Sequence, residues 1–303
     1  MADPSHSMIG ATMSQDTEFR TVNREAEHLV ATIGIPPCPV IVMKIVREMG
    51  RTEPDYGQIA DMIVTDGGLA AAILKTVNAP FFGLSKKATS VHQACVYLGL
   101  RNTGLVIAGL LLKRLFPEGD SAGIKEYWRS TLDAAATMTA LIPSLQGLDR
   151  AQVHTFALFR DCGRAALLLR ERKHDVQSTD YRAGIGEREQ DGPSEKFDFN
   201  HAWVGCLLAQ SWYLPTDLCN AILHHHEPEK VMPSAGGRVD STARLVALGL
   251  PADRIHAMQT DCAPDPAWES GALLVAAAFD ITERDLPGLV ASVGDSPERR
   301  AAA

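Results

Sequence analysis

Apolar residues return along this chain at three- and four-residue steps, and nowhere do they alternate with polar ones over the length of a strand. That period belongs to helices buried on one face, so the chain is expected to be all-α. The first stripe is Phe19, Val22, Ala26, Leu29, Val30 and Ile33, with Gly34 as its cap and Pro36, Pro37 and Pro39 stopping it from resuming. A second helix over about 39–49 carries Val42, Ile45, Val46 and Met49. A third begins near Asp55 and buries Ile59, Met62 and Ile63, and Asp66 caps a fourth with the face Leu69, Ala72, Ile73, Thr76 and Val77. Ser90 and Gln93 have the capping-box spacing for a fifth, which stops at Gly99.

Longer helices are expected at about 101–115, 122–142 and 150–172, then at 200–212 and 215–226. Patterning weakens beyond Pro228, where 240–258 and 266–280 are the remaining helical stretches. Residues 1–16 read as a disordered leader, 175–196 as a loop rich in Gly, Ser and charge, and the end from Ser296 as frayed. In Asn78-Ala-Pro-Phe-Phe-Gly83, Asn78 is expected to close a helix in the left-handed conformation. Pro80 blocks continuation, and Phe81 and Phe82 serve as packing plugs.

The formal net charge is −8, which disfavours a general nucleic-acid binder, because that role needs a cationic surface to displace counterions. Six cysteines without a CxxC or a close pair read as buried free thiols of a reducing cytoplasm. The apolar run Leu105–Leu112 is far short of the roughly 20 residues of a membrane span, and no secretory signal is expected. No phosphate loop, dinucleotide fingerprint or nucleophile elbow is present in the sequence, so no cofactor is expected.

Three blocks carry a family resemblance. The first is Ile35-Pro-Pro-Cys-Pro-Val40. The second is Leu74-Lys-Thr-Val-Asn-Ala-Pro-Phe-Phe-Gly83 with Ser90-Val-His-Gln-Ala94 and Leu98-Gly99. The third is His201-Ala-Trp-Val-Gly205, Trp212-Tyr-Leu-Pro215 and Ala221-Ile-Leu-His-His-His-Glu-Pro228. In this order they resemble the HDOD family of bacterial signalling proteins. The resemblance covers about 32–229 and leaves 230–303 as a C-terminal helical extension. It implies an N-terminal bundle of about five short helices packed on a C-terminal bundle related to the HD phosphohydrolases. It also implies a cytoplasmic, non-catalytic regulatory module whose partners are signalling proteins, with homo-oligomerisation left open and no membrane or nucleic acid involved. Asn78, Phe81, Phe82, Gly83, Ser90 and Gly99 would be its structural signature.

An HD phosphohydrolase holds a divalent metal with a His, a His-Asp pair and a distal Asp, and the metal activates water. Laid on this chain, the pattern puts Ser130 at the first His and Arg160 in place of the His of the pair, leaving Asp161. The stretch Val246-Ala-Leu-Gly-Leu250 offers no distal Asp. A permanently charged guanidinium cannot ligate a cation. Arg160 is expected to pair with Asp161 or another leftover carboxylate. His201 with Gly205, and His224, His225, His226 and Glu227, resemble motifs of the related HD-GYP phosphodiesterases. Helical residues turn about 100° apart, so at most two of the three consecutive histidines could share a metal. If any ion binds, Asp161, His201 and His225 would hold it; otherwise the histidines serve their helix C-terminus. A divergent phosphohydrolase or a cyclic-nucleotide sensor in this pocket is the alternative.

Overall fold

The computed structural model describes residues 37–119, 121–174, 201–234, 237–260 and 267–294, and among them there is no strand. The expected helix over 17–33, the leader, the loop 175–196 and the end from Ser296 lie outside the described residues.

The first bundle consists of α1 (Val40–Met49), α2 (Tyr56–Val64), α3 (Gly67–Val77) and the long α4 (Val91–Leu115). Asp55 and Asp66 cap α2 and α3, accepting from the N–H groups of Gln58 and Leu69. Ser90 likewise accepts from Gln93 at the start of α4, but the Gln93 carboxamide reaches Thr89 rather than Ser90, so the box is one residue wider than its spacing suggested. The expected stop at Gly99 is a kink (φ 75°, ψ 162°), a conformation only glycine adopts without strain, after which the helix continues. α4 is long and apolar enough by composition to cross a membrane. Here Leu105, Val106, Ile107 and Ala108 are fully buried, with α1, α2, α3 and a helix of the second bundle packed around them.

The second bundle contains α5 (Ala122–Leu141), α6 (Arg150–Phe159), α7 (Cys162–His174), α8 (His201–Ser211), α9 (Thr216–Leu223), α10 (Ser241–Thr260), α11 (Ala267–Phe279) and α12 (Leu286–Gly294). The single helix expected over 150–172 is therefore two, broken at Arg160 and Asp161. α12 has no counterpart in the sequence reading. Its Leu286, Leu289 and Val293 are buried where it packs against α5 and α10. One continuous core runs through both bundles. Trp128 is 1% exposed and donates its indole N–H to the Phe116 carbonyl at 2.6 Å, joining α5 to the end of α4. Cys38, Cys95, Cys162, Cys206 and Cys219 are buried free thiols.

The segment after α3 joins the bundles. Asn78 is right-handed rather than left-handed (φ −83°), and its side chain does the closing: it donates to the Ala88 carbonyl at 2.8 Å and accepts from the Ala88 N–H at 2.7 Å. The left-handed residue is Gly83. Phe81 and Phe82 meet edge to face at 4.8 Å and both pack 6.0 Å from His154 of α6. Arg150, at the start of α6, donates to the Phe81 carbonyl. Phe81, Phe82 and Gly83 thus lie at the joint between the bundles, against His154 and Arg150 of α6.

Candidate metal and charge centre of the second bundle

At the break between α6 and α7, the start of α7 approaches α8 very closely. A Cβ at Gly163 would overlap the His201 carbonyl, and one at Gly205 would lie 3.4 Å from the Gly163 nitrogen. Two glycines therefore let the start of α7 lie on the start of α8, which brings His201 beside Asp161. The second of them is the glycine of the His201-x-x-x-Gly205 motif.

Arg160 is buried and held by two carboxylates. Its Nε donates to Asp161 at 3.0 Å, and an Nη donates to Asp253 of α10 at 2.7 Å. A Cβ at Gly249 would come within 3.2 Å of the same guanidinium, so α10 presents a glycine where the arginine needs room. Burial by itself would lower the Arg160 pKa, but Asp253 and Asp161 outweigh it and raise it. Burial would likewise raise the Asp161 pKa, and Arg160, His225 and Arg164 outweigh it, holding the carboxyl well below its usual range. Arg160 does pair with Asp161, and the further carboxylate is Asp253. Val246–Leu250 offers no acid, but Asp253 sits one turn later on the same helix, 93 positions along the chain from Arg160.

Asp161 also faces three histidines. Its Oδ1 lies 3.5 Å from His201 Nε2 and 3.7 Å from His225 Nε2. His201 Nε2 is 3.4 Å from His225 Nε2 and 3.2 Å from His226 Nε2. The helical 100° argument does not apply to His224–His226, because α9 ends at Leu223 and His224 (φ −111°) has left the helix. In the turn that follows, His224 faces Glu227 at 3.6 Å while His225 and His226 both face the cluster. His226 is the ligand-type residue missing from the expected set of Asp161, His201 and His225. Its signal was Pro228, which ends the helix early. Desolvation, helped by Arg164, pushes the His201 pKa down to about 2, and desolvation lowers that of His225 too.

Ser130 is not brought to this centre. It lies exposed on α5, whose inward face at that level is Tyr127 and Thr131. Tyr127 donates to the Leu158 carbonyl at 3.2 Å. The register was read one residue away from the buried face.

The HDOD domain profile matches residues 35–228. The chain belongs to the HDOD family. An uncharacterized protein of Treponema pallidum (strain Nichols) is 23% identical over 206 residues, 66% of this chain but 40% of that relative, so the HDOD chain matches less than half of the relative's length. Among solved structures, a candidate metal-dependent phosphohydrolase from Shewanella amazonensis SB2B superposes with a TM-score of 0.61 at 14% identity, covering 93% of this chain and 99% of that one. An HDOD domain protein of unknown function from Geobacter sulfurreducens gives 0.56 at 19% identity, covering 93% and 97%. At these identities the likeness is one of fold. At the position where the resemblance expects the His of the pair, this HDOD chain carries Arg160, whose guanidinium is held between Asp161 and Asp253.

Proposed function

We propose that this chain is a non-catalytic signal-transduction module that acts by binding a partner protein. The observation that carries the reading is the buried Arg160 clamped by Asp161 and Asp253. Metal-assisted hydrolysis needs a cation with an open position for water, and a fixed guanidinium supplies neither. What an ancestral site would have gained from a metal ion, the charge balance of two converging carboxylates, is supplied internally. Recognition then falls to the surface. Val64, Val96 and Tyr97 of the first bundle expose large apolar side chains on which a partner protein would pack. The net charge of −8 favours a protein partner over nucleic acid.

The second reading, a divergent phosphohydrolase or a cyclic-nucleotide sensor, is favoured by the convergence of Asp161 with three histidines. One experiment separates them. The purified chain is supplied with Mn²⁺ or Fe²⁺ and offered bis(p-nitrophenyl) phosphate and cyclic dinucleotides. No turnover and no nucleotide binding is the expected result; turnover above the metal-free control that is lost in Asp161→Ala would sink the non-catalytic reading.

A further inference from the structure

We propose that Asp161, His201, His225 and His226 form a closed site for one four-coordinate transition-metal ion of the zinc class. One ligand atom from each of the four residues lies within 4.8 Å of the other three. Zinc bound tetrahedrally at about 2.0–2.1 Å separates its ligand atoms by about 3.3–3.4 Å. Four of the six separations, those given above, run from 3.2 to 3.7 Å and the other two stay within 4.8 Å, so a small inward movement of the donors would reach that spacing.

Proton positions give an independent argument. His225 Nδ1 lies 2.7 Å from the Ile222 carbonyl, and a carbonyl only accepts, so Nδ1 carries the hydrogen. In the neutral ring Nε2 is then a bare lone pair, yet it points at the Asp161 carboxylate and at His201. That lone pair needs a hydrogen donor or a cation, and a metal ion would serve it together with the Asp161 carboxylate. The same Nδ1–H to carbonyl bond is the usual outer-shell partner of a metal-bound imidazole and fixes the ring's orientation. Arg160 takes the Asp161 Oδ2, so Oδ1 is the atom turned toward the histidines, with Arg164 beside it.

Four protein donors complete a tetrahedron, which is the form of a structural zinc site rather than a hydrolytic one with an open position. The ligands come from the α6–α7 break, the start of α8 and the turn after α9, so the ion would cross-link three segments of the second bundle. His201 and His225 are buried, while Asp161 and His226 reach solvent in part and form the entry path. Arg164 is the competitor. Its Nε lies 3.3 Å from Asp161 Oδ1, but its side chain is 41% exposed and can swing aside.

The test uses the full chain. After metal stripping, it is titrated with Co²⁺ and Zn²⁺, reading bound metal per chain, the visible spectrum of the Co²⁺ form and the melting temperature. The expected result is one ion per chain, the intense absorption of a four-coordinate Co²⁺ complex, and a higher melting temperature that a chelator reverses. His226→Ala, on the partly exposed ligand, should weaken Zn²⁺ binding by about tenfold or more, consistent with the loss of a direct ligand. Arg164→Ala should tighten it. No stoichiometric uptake by the wild-type chain, or a six-coordinate Co²⁺ spectrum, or uptake unchanged in both His226→Ala and His201→Ala, would overturn the site. Hydrolysis by the zinc-loaded chain would defeat the non-catalytic reading above and leave this site standing.

Discussion

Arg160 concentrates the electrostatics of the second bundle in one side chain. Removing it leaves Asp253 without its counter-charge and Asp161 with only the partly exposed Arg164, the expensive way to break a buried pair. Arg160→Ala is expected to cost about 2–4 kcal/mol, below the upper end for fully buried pairs because both carboxylates keep some solvent. Chemical denaturation measures this directly, and an unchanged midpoint would mean the clamp contributes nothing. Histidines set the acid limit. Burial lowers the His154 pKa to about 4, against about 6.5 in an unfolded chain. Below pH 6.5 the unfolded state takes up a proton that the folded state refuses until about pH 4, so stability is full above 6.5 and falls across that window. His201, held at about 2, extends the loss to lower pH. Denaturation midpoints measured from pH 7 to pH 4 should fall, and His154→Phe should remove up to about 3 kcal/mol of that fall. The resemblance placed Arg160 where a hydrolase of that kind would have a ligand. It could not show Asp253, because no local pattern links residues on different helices.

Elements here owe their ends to particular residues. α2, α3 and α4 begin at Asp55, Asp66 and Ser90, all legible because an N-cap acts within one turn. The α6–α7 break was not legible, since Leu158-Phe-Arg-Asp-Cys reads as continuous helix and the close approach of α7 to α8 beside it is a tertiary contact. Gly163→Ala would force the His201 backbone to move, so a loss of several kcal/mol, or no soluble folded protein, is expected from thermal melting. Gly205→Ala, with its nearest neighbours at 3.2–3.4 Å, should be milder. At the joint, Asn78→Ala leaves the Ala88 N–H and C=O without their partners and should cost about 1–3 kcal/mol by the same measurement. Asn78 was read correctly as a stop, for the wrong reason: its side chain, not a left-handed backbone, ends α3.

At the scale of the whole molecule, the segment beyond residue 229 is part of the second bundle. α10 packs on α5, α9 and α11, and it carries Asp253 to Arg160. A chain ending near residue 239 should therefore be unfolded or aggregated, which circular dichroism and gel filtration would reveal; a monomeric, cooperatively melting fragment would contradict it.

The sequence by itself determined the helical class, most helix starts and the family, because periodicity, caps and short motifs act over neighbouring residues. Tertiary structure alone decided that His226 joins the cluster, that Asp253 answers Arg160 and that Ser130 faces outward. Those outcomes depend on which faces of separate helices meet: Gly163 lets α7 approach α8 where a Cβ would overlap the His201 carbonyl, and Gly249 leaves α10 room for the Arg160 guanidinium.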